Sequence, residues 1–132
     1  MTTYLIATDS DELFDLLDAA IGGTATIARV TAGSAVRAAV KELDPDLVVL
    51  DLQIGNMGGM ATCMDLRLEE GAGRLAKQNV LMLLDRPADV FLARRSGADG
   101  WVIKPIDPLR VRKAARAVQS GGTFHDQVAA SA

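Results

Sequence analysis

Three residues carry the chemistry of this sequence, and each follows a short apolar run. Asp51 ends "LVVLD" (47–51), Asp9 follows "YLIAT" (4–8), and Lys104 ends "GWVIK" (100–104). An apolar run of that length reads as a buried strand, and a charge at its carboxyl end is where an open α/β sheet builds its functional crevice. Two carboxylates brought together repel unless a cation lies between them. Mg²⁺ takes hard oxygen ligands and keeps several waters. A metal and an ammonium around one carboxylate suit a site where a phosphoryl group lands, since its oxygens need cations and its transfer is mostly positioning and electrostatics. The spacing therefore points to Asp51 as a phosphoryl acceptor, with Asp9 and Lys104 around it.

The elements that must bring these residues together alternate along the chain. Strands are expected at 4–8, 24–30, 47–51, 80–84 and 100–104, and helices at 11–21, 34–43, 59–70, 87–98 and 107–122. Ser10 and Asp107 are the expected N-caps of the first and last helices, and Pro87 and Pro108 sit at first-turn positions. On the third helix, Met60, Cys63, Met64 and Leu68 are expected on one side. Five successive strand–helix units imply a doubly wound parallel sheet, strand order 2-1-3-4-5, with helices on both faces. The sequence divides into one domain over 1–120 and a small-residue tail over 121–132, which is expected to fray. No output domain is read in it.

Composition narrows the classes. The 132 residues are 49% apolar and only 4% aromatic, which predicts one aliphatic core. A formal charge of −3 disfavours a general nucleic-acid binder. One cysteine, Cys63, leaves no internal disulfide and fits a buried helix position. No run approaches the roughly 20 apolar residues of a membrane span, and no signal peptide is evident. A cytoplasmic protein is expected. A phosphohydrolase with an Asp nucleophile would want an acid two residues on, where Gln53 stands. No phosphate-cradling loop follows the first strand, which disfavours a flavodoxin-type cofactor binder. His125 lies in the tail without a Cys or His partner, so no metal role is assigned to it.

The stretches "LIATDSD", "DPDLVVLDLQIGNMGG", "NVLML" and "GADGWVIKPID" together resemble the receiver domains of bacterial two-component response regulators, over about residues 4 to 119. The resemblance implies a flavodoxin-like receiver fold and a signalling role, not an enzyme. It implies Asp51 as phosphoacceptor and Asp9 as the second of a pair of acidic Mg²⁺ ligands. It also implies Gln53 as the backbone carbonyl on the metal, Lys104 on the phosphoryl group, a cis Lys104–Pro105 bond, and Trp101 as the switch aromatic. Three positions depart from the pattern. Thr8 replaces the first acid and is left to hold a metal-bound water, so Mg²⁺ affinity should fall. Leu84 replaces the Ser or Thr that hydrogen-bonds the phosphoryl group and releases the switch aromatic. Asp85 replaces a small residue and would repel a phosphoryl group unless it points to solvent.

The implied partners are a sensor histidine kinase or phosphotransfer protein and a downstream protein, met by contact. From Arg86 to Val118 the chain carries eight lysines and arginines against three acids. Arg94, Arg95, Arg110, Lys113 and Arg116 mark the expected partner face on helix four, strand five and helix five, by which receivers dock or dimerise. Two functions remain open. One is a stand-alone receiver phosphorylated at Asp51. The other is an atypical receiver that binds its partner without phosphorylation.

Overall fold

The computed structural model describes residues 2–23 and 25–126. Its parallel sheet has the order β2-β1-β3-β4-β5-β6. The strands are β1 (Thr3–Ala7), β2 (Thr26–Val30), β3 (Leu47–Asp51), β4 (Val80–Leu84), β5 (Gly100–Ile103) and β6 (Phe124–His125). The helices are α1 (Asp11–Ile21), α2 (Val36–Leu43), α3 (Gly59–Gly71), α4 (Val90–Ser96) and α5 (Pro108–Gln119). The predicted doubly wound order 2-1-3-4-5 is present, with a sixth short strand added at its edge.

The alternation of side chains along each strand divides the core into two layers. Tyr4, Ile6, Leu47, Val49, Leu81, Leu83 and Val102 point to α1 and α5, where Leu17, Val111, Ala114 and Val118 meet them. Leu5, Ala7, Val48, Leu50, Val80, Met82, Leu84 and Trp101 point to the other face, against Val36, Val40, Cys63, Leu66 and Ala93. All five residues of β3 and all five of β4 are buried, as the centre of a doubly covered sheet requires. Burying a leucine of this kind contributes about 2 kcal/mol relative to leaving it in water.

Helix ends follow the expected chemistry. The Ser10 hydroxyl accepts the Leu13 N–H, and the Asp107 carboxylate accepts the N–H groups of Leu109 and Arg110. Several boundaries differ from expectation. The second helix opens with a 3₁₀ turn, Gly33–Ala35, because no side-chain cap organises its start. The fourth is only Val90–Ser96, preceded by a 3₁₀ turn over Pro87–Asp89, and the fifth ends at Gln119. On α3 the buried positions are Gly59, Thr62, Cys63, Leu66 and Glu69, whereas Met64 and Leu68 are exposed. The true buried stripe follows the i, i+3, i+4, i+7 rule from Gly59, and 64 and 68 fall outside it.

The tail also differs. Phe124 and His125 pair in parallel with Gly100 and Trp101, so residues 124–126 dock against β5. The expected fraying of 127–132 lies outside the described residues. Gly100 permits the docking: a Cβ there would stand 2.9 Å from the Phe124 carbonyl oxygen and 2.7 Å from a Val118 methyl.

Candidate functional site

The carboxyl ends of β1, β3, β4 and β5 meet at one edge of the sheet, and they bring Thr8, Asp9, Asp51, Asp85 and Lys104 with them. Asp51 is 2% exposed. Its Oδ1 accepts the Lys104 ammonium at 2.9 Å and the Gln53 backbone N–H at 3.1 Å. Its Oδ2 accepts the Thr8 hydroxyl at 2.7 Å. A buried carboxylate is costly unless hydrogen-bonded and paired, and here every donor needed is supplied.

Thr8 is therefore more than a missing acid. Its hydroxyl donates to Asp51 while accepting the Ser10 N–H at 3.1 Å. A carboxylate at that position would face Asp51 as a like charge; the hydroxyl faces it as a donor. Asp9 is exposed, and its Oδ2 accepts the Gly55 N–H at 3.0 Å, which ties the loop after β3 to the end of β1. Gly59 lets that loop close over the strand end: a Cβ there would lie 2.7 Å from the Asp51 carbonyl oxygen and 2.7 Å from the Leu52 Cα.

Lys104 follows β5, and its backbone N–H donates to the Leu84 carbonyl at 2.8 Å. The Lys104–Pro105 bond is cis. Its ammonium also meets Asp85 Oδ1 at 3.0 Å. Asp85 thus turns one oxygen to Lys104, with its side chain 31% exposed. Burial pulls the Lys104 pKa down, but the hydrogen bonds and charges of Asp51 and Asp85 outweigh it, and the net direction is up.

The two residues expected to form the switch are both packed inside. Leu84 is fully buried, and Trp101 is 2% exposed. The Trp101 ring stacks on His125 with centroids 4.1 Å apart and planes 5° from parallel. Its Nε1–H donates to the Asp126 carbonyl at 3.2 Å, and the Asp126 N–H donates back to the Trp101 carbonyl at 3.2 Å. The Asp126 carboxylate accepts the Ile103 N–H at 2.9 Å and pairs with Arg110. Sequence reasoning gave the tail residues His125 and Asp126 no part in this. Asp126 bonds groups 16 and 23 residues earlier, and no local pattern announces such a contact.

The expected partner face is partly engaged within the chain. The Arg94 guanidinium lies 5.2 Å from the Trp101 ring centroid, Arg95 lies 5.5 Å from that of Phe91, and Arg110 holds Asp126. Lys113, Arg116 and the apolar Leu109 are exposed on α5, and the apolar Phe91 is exposed on α4.

Comparison with known proteins decides the family. A family-wide sequence description of the response regulator receiver domain matches residues 4–116. The chain belongs to the response regulator receiver domains. It is 34% identical over 116 residues to the DNA-binding response regulator MtrA of Mycolicibacterium smegmatis, covering 86% of this chain and 48% of that protein. It is 35% identical over 81 residues to the nitrate/nitrite response regulator protein NarL of Escherichia coli, covering 61% of this chain and 36% of NarL. The receiver thus spans about half or less of the length of these relatives. In fold it is similar to a putative response regulator from Chloroflexus aurantiacus, with a TM-score of 0.81 at 20% identity over 90% of this chain and 98% of that one. It is also similar to the BeF3-activated receiver domain of RstA from Klebsiella pneumoniae, with a TM-score of 0.78 at 22% identity over 89% and 98%.

Receiver domains are generally signalling modules rather than enzymes, and members of the family typically bind Mg²⁺. Here the oxygens able to hold that ion are the Asp9 and Asp51 carboxylates and the Gln53 carbonyl. These are hard oxygen donors; among the described residues, no three His, Cys, Asp or Glu side chains gather as a metal cluster. Donors of this kind suit Mg²⁺, which takes hard oxygen ligands. Among the described residues, no helix is long and apolar enough to cross a membrane.

Proposed function

We propose that this receiver accepts a phosphoryl group on Asp51 from a histidine kinase or phosphotransfer protein, and signals by protein contact. The observation that supports this best is the Lys104 ammonium 2.9 Å from a buried Asp51 carboxylate, with Asp9 at the neighbouring strand end. In this reading an Asp51 oxygen attacks the phosphorus of a phosphohistidine. A P–O bond forms, the P–N bond breaks, and the released imidazole nitrogen takes a proton from solvent. Oδ2 is the nucleophile, since it accepts from the neutral Thr8 hydroxyl, which can turn away, whereas Oδ1 is held by Lys104 and Gln53. Lys104 then meets the transferred oxygens. Mg²⁺, when bound by Asp9, Asp51 and the Gln53 carbonyl, supplies charge neutralisation for those oxygens.

A second reading has its own support. Leu84 offers no hydroxyl, and Trp101 is held inward by His125 and Asp126. Such a receiver would present one fixed face to its partner, with Asp51 serving as a structural carboxylate. Lys113, Arg116 and the exposed Leu109 and Phe91 favour an acidic partner surface with apolar contacts, or a second copy, on the α4–β5–α5 side.

Incubation with Mg²⁺ and acetyl phosphate, followed by intact mass, separates the two. The first reading expects one added phosphoryl group, lost in Asp51→Asn. No added mass, with an Asp51→Asn chain that still supports signalling, establishes the second.

A further inference from the structure

Lys104 has two carboxylate partners, and only one of them belongs to the acceptor. Asp85 Oδ1 stands 3.0 Å from the ammonium, almost as close as Asp51 Oδ1 at 2.9 Å. The sheet places this contact. Leu84 and Ile103 are paired in the β4–β5 register, and the next residue on each strand is Asp85 and Lys104. The loop after β4 is organised by a different acid: Asp89 accepts the backbone N–H groups of Asp85 at 3.3 Å and Arg86 at 3.1 Å. The Asp85 side chain is thereby left to Lys104. Its second oxygen, Oδ2, is buried with no hydrogen-bond partner. A buried acceptor without a donor is unfavourable, so the carboxylate is placed for the ammonium and not for its own solvation.

An ammonium has three N–H donors, and Asp51 and Asp85 already take two. An anion arriving at Asp51 needs those donors. It also meets the negative charge of Asp85 on the ammonium that should attract it. We propose that Asp85 is a built-in anion for Lys104, occupying the place of a phosphoryl oxygen and holding the site's affinity for phosphoryl-like anions down until it is displaced. The proposal deepens the phosphoryl reading of the Asp51 pocket and rests on it. Asp85 acts through Lys104 and is a positioning residue. Its consequence is selection among donors: a small phosphodonor must displace the carboxylate unaided, whereas a docked protein donor has binding energy of its own to do so.

The test is a titration of the full chain with beryllofluoride in excess Mg²⁺, followed by the ¹⁹F NMR signal of the bound group. Asp85→Asn, Asp85→Ala, Asp85→Glu and Lys104→Ala are measured beside the unaltered protein, and thermal melting reports folding of each. Asp85→Asn and Asp85→Ala should bind about tenfold more tightly, equivalent to about 1.4 kcal/mol. Asp85→Glu, which restores the charge, should return toward the unaltered value, and Lys104→Ala should lose binding. A lower melting temperature with unchanged affinity in both Asn and Ala variants would overturn the proposal while leaving the phosphoryl reading intact. Absence of binding in every protein, the unaltered one included, would overturn that reading and this proposal with it.

Discussion

The acceptor end of the sheet and its β5–β6 edge solve opposite problems with the same kinds of group. At the acceptor end, a buried carboxylate is surrounded by donors that can let go: a rotatable hydroxyl, an ammonium on a flexible stem, one backbone N–H. At the edge, Trp101 is fixed by a ring stack, one indole and one backbone hydrogen bond with the Asp126 main chain, and the Asp126–Arg110 ion pair. The first arrangement is open to exchange with a ligand. The second spends its polar groups on one another. Asp51 thus keeps exchangeable partners, whereas Trp101, the expected switch aromatic, is held by His125 and Asp126.

The largest expected effect lies at the acceptor end. Lys104→Ala leaves the buried Asp51 carboxylate without its cation and should lower stability by about 3 kcal/mol, read by urea unfolding at pH 7. The Lys104 pKa is raised in the folded protein. The stabilisation is therefore complete below the ordinary lysine range and lost as pH rises through the raised value. On the alkaline side, the gap between the unaltered protein and Lys104→Ala should narrow above about pH 10. A gap that stays constant into alkali would mean that the ion pairs contribute little.

At the edge, Asp126→Ala removes the acceptor of the Ile103 N–H and the partner of Arg110. It should cost about 1–2 kcal/mol and shift the emission of Trp101, the only tryptophan of the chain, to the red. An unshifted emission would show that the His125 stack and the surrounding core suffice to hold the ring. The smallest effect is expected from Thr8→Val, about 1 kcal/mol from the lost hydroxyl donor on Asp51 Oδ2. Thr8→Asp sharpens the same point. It restores the acidic pair, so the melting temperature should fall without Mg²⁺ and recover with it; a metal-independent melting temperature would remove Asp9 and Asp51 from the metal site.

Much of the acceptor end was legible because strand ends are set by topology. Once β1, β3 and β5 are recognised as parallel neighbours or near neighbours, Asp9, Asp51 and Lys104 must share an edge. The Asp85–Lys104 contact follows from the same logic, since β4 and β5 are adjacent. Taking Asp85 as merely repulsive overlooked the lysine one strand away. The Thr8–Asp51 hydrogen bond was hidden because side-chain donors do not appear in a charge pattern. The docked tail was illegible for a different reason. Small residues and short apolar content argue for fraying, and that is decided by a Trp101 stack and an Asp126 pairing that span long stretches of chain. The exposed Met64 and Leu68 show the limit of reading a helix face from apolar residues alone, since Thr62 and Glu69 take buried positions beside them.

Whether the Asp51 end and the Trp101 edge are coupled is decided by Trp101 emission recorded on protein whose phosphorylation state is known from intact mass. With Mg²⁺ and acetyl phosphate, the account predicts one added phosphoryl group on Asp51 and an emission spectrum that does not move, because the acceptor end and the Trp101 edge are uncoupled. A phosphoryl-dependent shift in emission, abolished by Asp51→Asn, would contradict it and show that Asp51 still drives Trp101 without a hydroxyl at position 84.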